Sequence, residues 1–169
     1  MKRILLSVIL VVVTTSVASA QVYKWWAGGK TSFWAETDRV TAVVAPEVGY
    51  HLTKKLTLAA SVGIYSSKYN NLDPQLGIIL NPYIRFNAIK KDNLVFFVNG
   101  GVEYGVGELD GFQLGFKPGM AILLSDRVTL GMLFGFIGYN DGKGIGGRRE
   151  GIGFDLSGYQ SGFALLYSF

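Results

Sequence analysis

Large apolar residues recur at every second position through most of this chain, which is the period of a β-strand and not of a helix. Between 112 and 124, Phe112, Leu114, Phe116, Pro118, Met120 and Ile122 alternate with Gln113, Gly115, Lys117, Gly119 and Ala121. Between 56 and 66, Leu58, Ala60, Val62 and Ile64 alternate with Thr57, Ala59, Ser61 and Gly63. Between 128 and 139, Leu130, Met132, Phe134 and Phe136 stand against Thr129, Gly131 and Gly135. Runs of this kind, bounded by turn signals, predict eight strands over 22–35, 40–52, 56–66, 76–88, 94–105, 112–124, 128–139 and 153–169. Alternation weakens between 153 and 160, where a bulge or shifted register is expected.

The connections alternate in length. Those over 53–55, 89–93 and 125–127 are short, and those over 36–39, 67–75, 106–111 and 140–152 are mostly longer. Pro46, Pro82 and Pro118 recur at equal intervals, each opening a hairpin unit of strand, charged turn and strand. An even number of sequential hairpins predicts an all-β, antiparallel, up-and-down barrel of eight strands.

The two faces decide which way such a barrel is dressed. One carries the bulky apolar side chains, while the other collects Lys30, Glu47, Asn81, Arg85, Asn99, Glu103, Gln113 and Lys117 near mid-strand. Unpaired ions in a dry apolar core cost several kcal/mol even after relaxation. In the lumen of a small barrel, the cations Lys30, Arg85 and Lys117 can pair with Glu47 and Glu103, and the bulky face turns outward. That arrangement predicts a transmembrane barrel with a polar interior, because closure pairs every backbone polar group within a bilayer. Tyr50, Phe86, Tyr104, Tyr139 and Tyr167 fall near strand ends, where interfacial aromatic girdles belong.

Composition supports the same environment. Of 169 residues, 49% are hydrophobic and 17% charged, too apolar a mixture for disorder. Residues 1–20 read as a signal peptide: Lys2 and Arg3 precede an apolar run over 4–13, and Ala18-Ser19-Ala20 forms a cleavage site. The mature domain is then 21–169. Losing Lys2 and Arg3 lowers the formal net charge of +4 by two, which removes any case for nucleic acid. With no cysteine, disulfides and thiolate metal sites are excluded.

The leader, the repeated units "VGYHLTKKLTL" and "MAILLSDRVTLG", and the ending "FALLYSF" together resemble the small bacterial outer-membrane β-barrel proteins of the OmpX/OmpA-like type. The likeness extends over the mature chain. In that family a last strand with alternate apolar residues and a final aromatic is the signal read by the outer-membrane assembly machinery; here those residues are Phe163, Leu165, Tyr167 and Phe169. The resemblance implies a Gram-negative outer membrane as location, membrane lipid and lipopolysaccharide as surroundings, and periplasmic chaperones during transit. It also implies a monomer with its short turns toward the periplasm.

Catalytic signals are sparse. The lone histidine, His51, sits beside a short turn, away from the end at which an outer-leaflet lipid esterase or acyltransferase would work, and offers no serine triad. Residues 142–147 match G-x-G-x-x-G, but that fingerprint binds dinucleotides only between a strand and a helix, and a strand follows here. The same loop carries Lys143, Arg148 and Arg149, an exterior basic patch suited to lipopolysaccharide phosphates or to plain solvation. Neither a cofactor nor a metal is expected. The expectation is a non-catalytic outer-membrane barrel with a structural or surface-interaction role, with a narrow porin as the alternative and a lipid-modifying enzyme third. Within the lumen, Arg85 is expected to pair with Glu47 or Glu103.

Overall fold

The computed structural model describes residues 23–35, 39–69, 75–107, 109–141, 150–156 and 161–169. The leader expected over 1–20 and the basic loop with Lys143, Arg148 and Arg149 lie outside the described residues. The strands are β1 (Trp25–Ala35), β2 (Arg39–His51), β3 (Leu56–Tyr69), β4 (Gln75–Lys91), β5 (Leu94–Gly107), β6 (Gly111–Leu123), β7 (Val128–Phe134), β8 (Phe136–Asp141), β9 (Glu150–Asp155) and β10 (Ser161–Ser168). Sequential neighbours pair antiparallel from β1 to β7; β7 then pairs with β10, and β10 with β1. The result is a closed eight-stranded antiparallel barrel, with β8 prolonging β7 and β9 folded back on β8.

Alternation in the sequence becomes alternation of exposure. Along β3, Thr57, Ala59, Ser61 and Gly63 are buried in the barrel, while Leu58, Ala60, Val62 and Ile64 are exposed outside it. Outward on other strands stand Val44, Val48, Ile78, Leu80, Ile84 and Leu114. Phe86, Tyr104, Tyr139 and Tyr167 also face out, and Trp25 stacks obliquely on Tyr50 with ring centroids 4.8 Å apart. Gly49 leaves the space that the Trp26 indole fills inside, so a lone missing side chain admits the largest one.

Two predicted elements are corrected. The strand predicted over 128–139 breaks at Gly135, whose φ is +148°, and its pairing with β6 slips by one residue, from Gly119↔Leu133 to Phe116↔Ile137. One extra residue in a strand inverts every side chain beyond it. Phe136, expected outside with Phe134, is therefore buried in the lumen, and Ile137 takes the outward place. The strand predicted over 153–169 is likewise two segments, β9 and β10, and only β10 closes the barrel. Its register with β1 runs from Trp26↔Ser168 to Gly29↔Leu165. Phe169 finishes the seam, its N–H donating to the Trp25 carbonyl at 2.9 Å.

A smaller difference concerns β4. The turn predicted over 89–93 shrinks to the tip of the β4–β5 hairpin, because a register shift between Asn87 and Ile89 lets pairing continue to Lys91↔Leu94. Asp92 takes the positive φ, +50°, that so tight a reversal demands.

Candidate functional site

The inward face of β4 presents Asn81, Tyr83 and Arg85 in succession, and β5 answers with Asn99, Gly101 and Glu103. Every second residue of neighbouring strands shares a face, so polar side chains far apart in sequence meet across the lumen. Lys30, Glu47, Arg85, Glu103 and Lys117 all line one interior cavity of about 30 Å³. That space holds roughly one or two water molecules. Beside it, Gln113 and Asn140 are buried.

Four of these charges form two groups, and Lys30 lines the cavity beside them. Lys117 Nζ lies 2.8 Å from Glu103 Oε1, the same oxygen that accepts a hydrogen bond from Asn81 Nδ2 at 2.8 Å. The second group is built on Arg85. Its Nε donates to Asn99 Oδ1 at 2.9 Å and its Nη2 to the Tyr83 hydroxyl at 3.4 Å, and that hydroxyl donates to Glu47 Oε2 at 3.1 Å. The expected direct pair between Arg85 and a carboxylate is thus corrected. Glu103 is taken by Lys117, and Glu47 is reached only through the Tyr83 phenol. Glu47 Oε1 is buried and has no hydrogen-bond partner among the described residues.

Aromatic rings do the rest of the work on the cations. The guanidinium carbon of Arg85 is 4.1 Å from the Phe97 ring centroid, 5.4 Å from that of Trp26 and 5.6 Å from that of Tyr83. A flat, weakly hydrated cation recovers at ring faces part of what it loses by leaving water. Lys117 Nζ similarly lies 5.8 Å from the Phe136 centroid, a contact that exists because of the slip at Gly135. These rings were not singled out from the sequence. Tyr83 and Phe97 share strand parity with Arg85 and Asn99, and that signal could have found them; Phe136 has the wrong parity.

The remaining candidates are placed as follows. His51 Nδ1 lies 2.7 Å from the hydroxyl of Thr57, its cross-strand partner, which is wholly buried. The imidazole's partner is thus a threonine on the lumen floor. Among the described residues, no group of three or more His, Asp or Glu side chains could hold a metal ion. Phe163, Leu165, Tyr167 and Phe169 all stand on the outer face of the closing segment, with Ala164 and Leu166 buried between them. At the short-turn end, Arg127 donates to the Tyr23 hydroxyl at 3.0 Å and to the Tyr167 hydroxyl at 3.1 Å, fastening the β6–β7 turn across the seam. Those phenols push the arginine pKa further upward. No protein-family model matches the chain, and no curated protein matches it.

Proposed function

We propose that this protein is an integral β-barrel of a Gram-negative outer membrane, inserted after removal of a signal peptide, with a non-catalytic structural or surface-interaction role. The observation that carries the reading is the inverted distribution of side chains. Bulky hydrocarbon covers the outside of a closed sheet, whereas ions and amides fill its inside. A barrel in water gains free energy from the opposite arrangement, at about 25 cal/mol for each Å² of apolar surface buried. A bilayer removes that penalty and accepts a wall whose strands close on one another through β10 and β1.

The structural role draws support from the middle of the lumen, where charges and rings leave a cavity of about 30 Å³ among them. Surface interaction draws support from β9, whose Ile152 and Phe154 continue the apolar outer face from an edge paired only with β8 among the described strands. The reading is tested by expressing the chain in a Gram-negative host. It should fractionate with the outer membrane and migrate differently on a gel before and after boiling. A compact β-rich particle, monodisperse in buffer without detergent, would overturn it.

A further inference from the structure

We propose that the outer face of β3–β6 holds one anionic phospholipid of the periplasmic leaflet, with its phosphate on a four-lysine patch and an acyl chain in an apolar groove. The proposal rests on the membrane reading above.

The patch is assembled from two turns. Lys54 and Lys55 lie in the β2–β3 turn, and Lys90 and Lys91 lie where β4 runs on beyond Phe86, the partner of Leu56. Asn87 ties the β2–β3 turn to β4, three residues before Lys90: its backbone N–H donates to the Lys55 carbonyl at 2.8 Å, and its side-chain amide donates to the Lys54 carbonyl at 3.5 Å. All four lysines are exposed, and Asp92 is the only acid in either turn. A cluster of exposed ammonium groups favours a phosphate. A zwitterionic headgroup brings its own cation and is disfavoured.

The groove begins just inside the patch. Leu58, Ile84 and Phe86 form the first outward row, and from Ile84 and Phe86 an apolar hollow of about 890 Å³ passes between Val98, Leu114 and Phe116. Gly100 makes the hollow, because it occupies an outward place between strands whose other outward residues are large. A Cβ there would meet only the Phe116 ring, at 3.1 and 3.2 Å, so a side chain can be added with a small shift of that ring. Headgroup and chain are therefore matched by adjoining parts of the wall: the basic turn of Lys54 and Lys55, and the apolar hollow that opens at Ile84 and Phe86 and crosses the strands to Ile137 and Ile152.

The test is native mass spectrometry of the folded mature chain in nonionic detergent with equal amounts of dioleoyl phosphatidylglycerol and dioleoyl phosphatidylcholine. We expect one phosphatidylglycerol to be retained about tenfold over phosphatidylcholine. The K54Q/K55Q/K90Q/K91Q variant should lose that preference, and Gly100→Val should retain less of both lipids. If the quadruple variant does not fold, the preference of the unmodified chain must still fall toward unity at about 0.5 M salt. Equal retention of the two lipids by the unmodified chain, or a preference that survives either treatment, overturns the site. Insertion into phosphatidylcholine vesicles, read by the boiling-dependent gel shift, tests the membrane reading separately. A chain that inserts yet shows no lipid preference overturns the lipid site alone.

Discussion

At the scale of single residues, Arg85 shows how a buried ion is tolerated. Its charge is met by an amide oxygen, a phenol and three ring faces, with the nearest carboxylate one hydrogen bond further off. Removing the guanidinium strands Asn99 Oδ1 and leaves Glu47 with less compensation. Arg85→Ala should therefore destabilise the barrel by about 2–3 kcal/mol, seen as a lower temperature for loss of the fast-migrating folded form in detergent. Arg85→Lys should recover little of that loss, since an ammonium cannot reproduce the planar stack on Phe97 together with the Nε bond. Stability equal to that of the unmodified chain in either variant would mean that the cluster is incidental. Glu103 and Lys117 differ in kind, because their charges meet in a direct ion pair that Asn81 supports.

At the scale of elements, Gly135 decides the upper part of the barrel. Its φ of +148° is rarely open to other residues, and a Cβ there would collide with the Asp155 carbonyl oxygen of β9. This kink sends Phe136 into the lumen over Lys117 and passes the chain from β7 to the β8–β9 hairpin. Gly135→Ala should cost about 1–3 kcal/mol. Hydrogen exchange should quicken over 136–141 and 150–155, while β2–β5 keep their protection. Uniform exchange throughout the chain would contradict a local device. The seam of β10 with β1 is the other decisive element. It is short, and its short-turn end is fastened by Phe169 on Trp25 and by Arg127 on Tyr23 and Tyr167.

At the scale of the whole molecule, eight strands leave an interior just wide enough for side chains to fill it. Here Trp26, Phe97, Leu166 and Phe136 occupy it together with the paired charges, and the cavity among the charges is about 30 Å³. Ion passage needs a continuous wet path, which so small a space does not offer. Purified protein reconstituted in planar bilayers should give conductance indistinguishable from a protein-free membrane. Stable, ohmic unit steps in conductance would favour the narrow-porin alternative instead.

The alternation of side chains determined, without any coordinates, that the chain is all-β, that it makes an even set of antiparallel hairpins, and which face is bulky and which polar. These are local properties: a period of two residues assigns faces within each strand, and turn chemistry marks its ends. It also named Lys30, Glu47, Arg85, Glu103 and Lys117, which the fold gathers around one cavity. What only the tertiary structure decided is which of these meet. Partner choice depends on register between strands, so Lys117 and not Arg85 took Glu103, and the Tyr83 phenol came between Arg85 and Glu47. The slip at Gly135 and the division of the last predicted strand were decided there too. A single inserted residue leaves the periodic pattern nearly intact on either side, yet inverts everything beyond it once two strands are held in pairing.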